Sequence, residues 1–324
     1  ERARGLGLVL LGPGRPYARV ARAIGREEAR LVWAAGCENH LRLRALLEES
    51  RRDCGYAPRG SFLLALARAE ASELAESEDL LRDDGFPGEF LDHYMLETRF
   101  DLSGFPGAYW AAEDAEVDAS SLLAVLGEWA RASGVGFSVG RVLSVEAEGS
   151  GVTVETDEGR VAAGAAVVAT DGAAAELVPE LRTALGPAAR ARLRARPLEG
   201  AVLPTAVRTA DGRFAWHSQA GEGGVLLCRI GAEDEPAGAL EAFATRIPVD
   251  TAGARRWEEA GEVSADGLPL VGRLPGRPLA VACGFGALAP GLAFAAARWT
   301  ADAVLSGADP TPDPLRATRR LARV

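Results

Sequence analysis

The sequence has few residues of the types that hold metals or form disulfides. Its 324 residues include only 4 cysteines and 3 histidines. Even the closest cysteine pair, Cys37 and Cys54, is too widely spaced for a CxxC motif. His40, His93 and His217 share no ligand spacing, so no zinc site is expected. The cysteines are therefore interpreted as reduced core residues, and a cytoplasmic location is the expectation.

Long apolar runs and an excess of positive charge are also missing. No segment reaches the roughly 18 consecutive apolar residues of a membrane-spanning helix, and the first residues lack the basic-then-apolar form of a signal peptide. The formal net charge is −10 and the sequence pI is about 5.1. These values argue against nucleic acid and against an acidic membrane surface as partners. The oligomeric state is left open.

A dinucleotide-binding unit of strand, G-x-G-x-x-G turn and helix is absent as well. Gly12-Pro13-Gly14 is a poor substitute, because the residues on either side do not form a βαβ unit. The first residue is Glu1 and the only methionine is Met95. The chain is therefore not expected to be a complete translation product.

What the sequence does contain is a mixture of helical and strand patterns. A hydrophobic content of 48% suits one or two globular domains with a full-sized core. Apolar spacing and stop signals predict helices over 16–50, 70–84, 118–134, 239–247 and 290–307. Apolar runs and alternation predict strands over 61–67, 108–110, 137–139, 142–145, 152–156, 165–170, 187–197, 202–208, 214–218, 225–230 and 279–283.

The stretch from Ser264 to Gly307 is the most informative. Leu279–Cys283 is an unbroken apolar run typical of a buried strand, and Gly284 begins a glycine-bearing turn. Pro290 suits the first turn of the helix that follows. Free N–H groups at such a helix start can bind an anion or a dipole. Many proteins contain this unit without a ligand, so a purely structural role is the alternative.

The same stretch resembles the flavin segment of a known family. Asp266-Gly267-Leu268-Pro269 followed by Gly284-Phe285 is similar to the C-terminal motif of the D-amino-acid-oxidase-like family, which comprises FAD-dependent amine and amino-acid oxidases. Residues 25–66 resemble its γ-glutamylputrescine oxidase-like subgroup. The resemblance implies a two-lobed, Rossmann-like α/β flavoprotein fold with an antiparallel-sheet substrate domain and the first βαβ unit missing. It places 1–60, 108–180 and 262–324 in the FAD-binding lobe, and 61–107 and 181–261 in the substrate lobe.

The resemblance also implies a set of site residues. The predicted FAD-binding residues come from the motif-bearing segments 1–60, 108–180 and 262–324 and are Arg4, Gly5, Gly7, Val142, Ala169, Thr170, Gly172, Asp266, Gly267, Leu268, Gly284, Phe285, Gly286, Ala287 and Leu288. The predicted substrate pocket is aromatic, and its residues are Trp216, Trp257 and Phe285. Core packing is the alternative interpretation of these aromatic residues. No catalytic acid or base is predicted, and no metal.

Two departures from the family pattern affect the expected chemistry. Gly261-Glu262 stands where the amino-acid oxidases have an Arg-Pro whose arginine binds the substrate carboxylate, so an amine is expected as substrate rather than an α-amino acid. The usual Gly-Phe-x-Gly-His-Gly turn is replaced by 284–290, GFGALAP, which adds a Cβ where backbone approaches the ring. The implied function is oxidation of a primary or secondary amine to an imine, with hydride transfer to flavin and reoxidation by oxygen.

The alternative function is a flavin-free relative that binds a small molecule or another subunit. In the family the first βαβ unit holds the pyrophosphate of FAD. We therefore expect that residues preceding Glu1 decide whether FAD is bound.

Overall fold

The computed structural model describes residues 7–197, 205–219, 223–230, 236–247, 249–253, 255–286 and 289–320. These residues form helices and strands in a mixed order. The helices are α1 (Tyr17–Ile24), α2 (Arg26–Ser50), α3 (Arg68–Asp83), α4 (His93–Phe100), α5 (Ala119–Ala132), α6 (Ala174–Leu177), α7 (Pro236–Ala244) and α8 (Ala289–Ser306). The strands are β1 (Leu8–Val9), β2 (Ser61–Leu64), β3 (Glu89–Asp92), β4 (Gly107–Ala111), β5 (Ala115–Glu116), β6 (Val142–Glu148), β7 (Gly151–Thr156), β8 (Gly159–Ala163), β9 (Ala166–Val168), β10 (Leu185–Pro197), β11 (Ala206–Thr209), β12 (Phe214–Gln219), β13 (Gly223–Ile230), β14 (Val249–Asp250), β15 (Arg256–Ser264), β16 (Leu270–Arg273) and β17 (Leu279–Cys283).

The largest sheet has nine strands in the order β14-β10-β13-β12-β11-β2-β4-β3, with β15 also paired to β10. Two parts of the chain build it, and they meet where β11 pairs in parallel with β2. That pairing places Ala206 opposite Ser61 and Arg208 opposite Leu63. The side chain of Arg208 reaches back to donate to Oγ of Ser61. Three smaller sheets have the orders β16-β17-β9, β6-β7-β8 and β1-β5.

The residues that build each sheet can be compared with the predicted division of the chain into two lobes. The nine-stranded sheet draws on 61–111 and 185–264, and it includes β4, whose residues 108–111 were predicted to lie in the other lobe. The three-stranded sheet of β16, β17 and β9 contains the two motif-bearing strands that precede Thr170 and Gly284. The division into two interleaved lobes stays a prediction.

Small and amide side chains allow α2, α8 and the start of the chain to pack closely. A Cβ on Gly36 would lie 2.0 Å from the carbonyl oxygen of Leu11, and one on Gly291 would lie 2.9 Å from that of Leu10. The fully buried Asn39 of α2 donates to the carbonyl of Pro290 at 2.8 Å and accepts from the amide of Phe294 at 2.9 Å. The first turn of α8, which follows the glycine turn, is therefore held by a side chain of α2.

Two local predictions were wrong. The single helix predicted over 16–50 is interrupted at Gly25, where φ of 99° takes the backbone out of the helical region and separates α1 from α2. The strand predicted at 137–139 is a loop, and Val139 is 92% exposed. Apolar side chains alone did not make a strand there, because no neighbouring strand supplies hydrogen-bond partners in the described structure.

None of the helices in the described ranges combines the length and apolarity needed to cross a bilayer. Within the same ranges, no group of three or more His, Cys, Asp or Glu side chains is placed to hold a metal ion.

Candidate active site

A cavity of about 460 Å³ lies between the large sheet and the loops that follow β15 and β17. That volume falls within the roughly 300–1,000 Å³ common for small-molecule sites. Its walls come from five parts of the chain. The lining residues are Leu8, Pro13, Gly14, Arg15, Thr183, Leu185, Gly186, Pro187, Ala188, Arg208, Gly212, Phe214, Ala215, Val263, Ser264, Ala265, Gly267, Gly284, Phe285 and Gly286.

The turn after β17 forms one wall and needs its glycines. Gly284 and Gly286 have φ of 72° and 59°, in the left-handed region that favours glycine. A Cβ on Gly284 would lie 3.0 Å from Cδ2 of Leu185. The amide of Gly284 donates to Oδ1 of Asp171 at 2.9 Å, which ties this turn to the end of β9.

The loop after β15 forms the adjoining wall and is held by the C-terminal segment. Both carboxylate oxygens of Asp266 accept from Arg319 at 3.2 Å, and Oδ2 also accepts from Arg320 at 2.9 Å. Arg319 further donates to the carbonyls of Leu268 at 2.8 Å and Pro269 at 3.0 Å. Burial by itself would raise the pKa of Asp266, but the hydrogen bonds and charge of Arg319 outweigh it and lower the pKa to about 2.

Arg208 stands on the opposite wall, in the large sheet. Its Nη2 donates to Oγ of Ser61 at 3.0 Å and to Oδ2 of Asp114 at 3.1 Å. Asp114 also accepts from the hydroxyl of Ser61 at 2.6 Å and from the amide of Leu11 at 2.9 Å. Arg208 is only 8% exposed, and its burial lowers its pKa.

The structure brings some of the predicted FAD-binding residues together. Gly267, Gly284, Phe285 and Gly286 line the cavity, and Asp266 and Leu268 belong to the loop that carries Gly267. The other predicted residues within the described ranges do not line it: these are Gly7, Val142, Ala169, Thr170 and Gly172. Arg4, Gly5, Ala287 and Leu288 lie outside the described residues.

The three predicted pocket aromatics lie in different places. Phe285 lines the cavity. Trp216 is 2% exposed and packs in the core cluster that also contains Phe243. Trp257 packs beside Leu8 and its neighbours in another cluster. The aromatic side chain that joins Phe285 on the cavity wall is Phe214.

Sequence reasoning missed Arg15, Asp171, Arg208 and Phe214. Asp171 had a local signal, since it follows the Ala169-Thr170 pair at the point where the family motif has glycine or asparagine. Arg208 had none, because its partner Asp114 is 94 positions away.

Residues 7–303 match a protein family described as FAD dependent oxidoreductase. No match was found among curated proteins.

Similar solved structures cover nearly the whole chain. Glycine oxidase from Geobacillus kaustophilus is 22% identical, with a TM-score of 0.78 over 98% of this chain and 88% of that one. L-proline dehydrogenase from P. horikoshii is 18% identical, with a TM-score of 0.76 over 90% and 84%. Iminodiacetate oxidase from Chelativorans sp. BNC1 is 17% identical, with a TM-score of 0.70 over 97% and 88%. At these identities the likeness establishes the α/β fold and no particular substrate.

Proposed function

This chain belongs to the family of FAD-dependent oxidoreductases, and from that premise we propose that it oxidises a primary or secondary amine to an imine. The observation that supports the proposal is the cavity of about 460 Å³ that is bordered by the glycine turn at Gly284, the loop at Gly267 and the large sheet. FAD, when bound, would supply the acceptor for the hydride that leaves the amine carbon, the nitrogen would release its proton to water, and oxygen would reoxidise the flavin with formation of hydrogen peroxide.

The residues at the cavity fit the ring end of that cofactor. Gly267, Gly284 and Gly286 all have positive φ and lack a Cβ, so their backbone can approach a flat ring closely. The carboxylate of Asp266 is occupied by Arg319 and Arg320, so this residue would act through the loop backbone rather than through its own charge.

The cavity wall also limits the proton chemistry. Among the residues that line it in the described structure there is no Asp, Glu, His or Lys, and an arginine does not release its proton. The substrate amine would therefore enter in its neutral form. Phe214, Phe285 and Leu185 would exclude water from the reacting carbon.

An amine is proposed in preference to an α-amino acid, because Gly261-Glu262 stands where an arginine would clamp an α-carboxylate. The similar structures are named for activity on glycine, L-proline and iminodiacetate. The test is hydrogen peroxide production with polyamine derivatives, glycine and D-amino acids. Faster turnover of glycine or of a D-amino acid would overturn the preference.

The cofactor itself is tested by absorbance. Purified protein with flavin bands, or protein that gains them when FAD is added, would support an oxidoreductase. A colourless protein that takes up no FAD would favour the alternative role in binding a small molecule or a subunit. A cytoplasmic location stays a prediction.

A further inference from the structure

Asp171 combines an unusual backbone conformation with a place at the end of a motif-bearing strand. Its φ is 48°, in the left-handed region that an L side chain rarely adopts. The other described non-glycine residues with positive φ, Arg51 and Asp101, end helices α2 and α4, where that conformation is common. Asp171 instead follows β9 and begins a short 3-10 turn, Asp171–Ala173. Glycine would adopt this backbone without strain, so the presence of an aspartate points to a use for its side chain.

The side chain of Asp171 continues the pairing of two parallel strands beyond their last paired residues. β9 pairs with β17 so that Val168 lies opposite Val281. Asp171 and Gly284 follow these two valines after the same number of residues, and Oδ1 of Asp171 accepts from the amide of Gly284 at 2.9 Å. A carboxylate therefore holds the glycine turn against the neighbouring strand, at the edge of a parallel pair where ligands gather.

The carboxylate of Asp171 also acts on its surroundings through its charge. The pKa of the Cys283 thiol is raised to about 12, first by burial and then by the charges of Asp171 and Glu262. The charge of Arg319 acts in the opposite direction and is the smaller effect. Negative charge therefore reaches the base of the glycine turn, directly behind Gly284.

We propose that Asp171 is a positioning residue that holds the Gly284 turn against β9 and lowers the reduction potential of the flavin bound at that turn. Negative charge builds up on a flavin ring when a hydride is transferred to it, and a fixed carboxylate behind the turn disfavours that charge. The family motif has glycine or asparagine at this position, and neither carries a charge. The inference rests on the proposed function for the place of the ring and adds a residue that sets how readily the ring is reduced.

Three substitutions separate the side chain from the backbone. Asp171→Asn keeps an oxygen that can accept from the Gly284 amide, and it removes the charge. Asp171→Gly suits the positive φ but removes both the acceptor and the charge. Asp101→Asn is the matched control, because Asp101 has φ of 55°, is exposed, ends α4 and does not line the cavity.

Hydrogen–deuterium exchange of the Gly284 amide, measured on the protein with and without FAD, tests the hold on the turn. We expect Asp171→Gly to raise the exchange rate by roughly tenfold to a hundredfold, because a hydrogen bond to a charged acceptor is lost. Asp171→Asn should raise the rate by at most about tenfold, and Asp101→Asn should leave it unchanged. An unchanged rate in Asp171→Gly would overturn the positioning role.

The midpoint potential of bound FAD tests the effect of the charge. We expect Asp171→Asn to shift it to a more positive value, with a roughly tenfold gain in the ratio of reduced to oxidised flavin, which is about 30 mV for a two-electron couple. Asp101→Asn removes the same charge far from the turn and should not move the potential. A loss of stability alone would not produce such a shift. An unchanged or more negative potential in Asp171→Asn would overturn the electrostatic role.

Neither measurement depends on the oxidation of an amine. The exchange rate needs no flavin, and the potential is set with a chemical reductant rather than with a substrate. If no amine is oxidised while both expected changes are found, the role of Asp171 stands and the proposed substrate class is wrong. If amines are oxidised while neither the rate nor the potential changes, amine oxidation stands and the role of Asp171 is wrong.

Discussion

Two aspartate–arginine pairs adjoin the cavity, and they differ in how completely the arginine is used. In the loop pair, Asp266 and Arg319 lie beside the glycine loop, and in the sheet pair, Asp114 and Arg208 lie in the opposite wall. An arginine has five N–H donors. Arg319 directs its donors to both oxygens of Asp266 and to the carbonyls of Leu268, Pro269 and Arg316. Arg208 uses Nη2 alone for its two contacts and leaves Nε without an acceptor in the described structure.

The difference separates Arg319, which fixes the shape of the cavity wall, from Arg208, which has donor capacity left to bind a ligand. Arg319 ties the C-terminal segment to the loop, and its donors are already occupied. Arg208 is more deeply buried, with 10% of its side chain exposed against 15% for Arg319, yet it has donor capacity left. Leaving a buried donor unpaired costs free energy, so such a group in a cavity wall is a candidate for ligand binding.

The largest effect is expected from breaking the sheet pair. Arg208→Leu leaves the Asp114 carboxylate buried without its cation, and we expect it to lower the free energy of unfolding by about 3–5 kcal/mol. Denaturant titration measures this change. The control is Arg52→Leu, which breaks a pair with Glu128 whose side chains are 62% and 60% exposed, and it should cost at most about 1 kcal/mol. Equal losses in the two variants would contradict the expected difference between a buried and an exposed ion pair.

A smaller effect is expected from removing the charge of the loop pair. The pKa of Asp266 is lowered to about 2, against about 3.9 in an unfolded chain. The carboxylate therefore stabilises the fold above about pH 4, and that contribution is lost as the pH falls through about 2. Asp266→Asn should lower the free energy of unfolding by about 2–3 kcal/mol at neutral pH. Plots of the free energy of unfolding against pH should converge near pH 2 for the variant and the parent protein. Parallel plots would show that the carboxylate does not act through its charge.

A conservative change in the loop pair should have a still smaller effect. Arg319→Lys keeps the positive charge at Asp266 but cannot reproduce the planar fork that reaches Leu268 and Pro269. We expect a loss of about 1–2 kcal/mol. We also expect a shift in the absorbance of bound flavin, because Gly267 of the same loop lines the cavity. A loss of stability without a spectral shift would mean that Arg319 supports the fold and not the position of the loop.

The smallest effect is expected from Arg320→Ala. Arg320 makes one hydrogen bond to Asp266 and is 43% exposed. Its removal should cost at most about 1 kcal/mol, because exposed ion pairs are screened by solvent. Thermal unfolding of this variant beside Arg319→Lys would rank the two contacts. A larger loss for Arg320→Ala than for Arg319→Lys would show that the exposed arginine contributes more than the buried one to holding the loop.

Much of the local structure could be predicted because its signals lie within a few residues of one another. The apolar run before Gly284 and the helix after Pro290 are present as β17 and α8. The misses occurred where a local pattern competed with a backbone or pairing requirement. Gly25 interrupted a continuous helical pattern by adopting positive φ, and the apolar residues at 137–139 found no strand to pair with.

The candidate site was predictable in part, for the same reason. The glycine turn and the loop at Gly267 carry their own motifs, and both line the cavity. Trp216 carried only its residue type, which does not distinguish a core position from a pocket wall, and it lies in the core. Phe214 and Arg208 also line the cavity, but neither belongs to a sequence motif that could have indicated its position.

By itself the sequence determined the family resemblance, the α/β class and the glycine-bearing segments, because each depends on residues close together in the chain. Only the tertiary structure decided which charges face the cavity. Arg208 meets Asp114 across 94 positions and Arg319 meets Asp266 across 53, through the pairing of β11 with β2 and the return of the C-terminal segment to the loop. Hydrogen bonds between such distant groups depend on how the sheets assemble, and no periodicity within the sequence encodes which donor will be left without an acceptor.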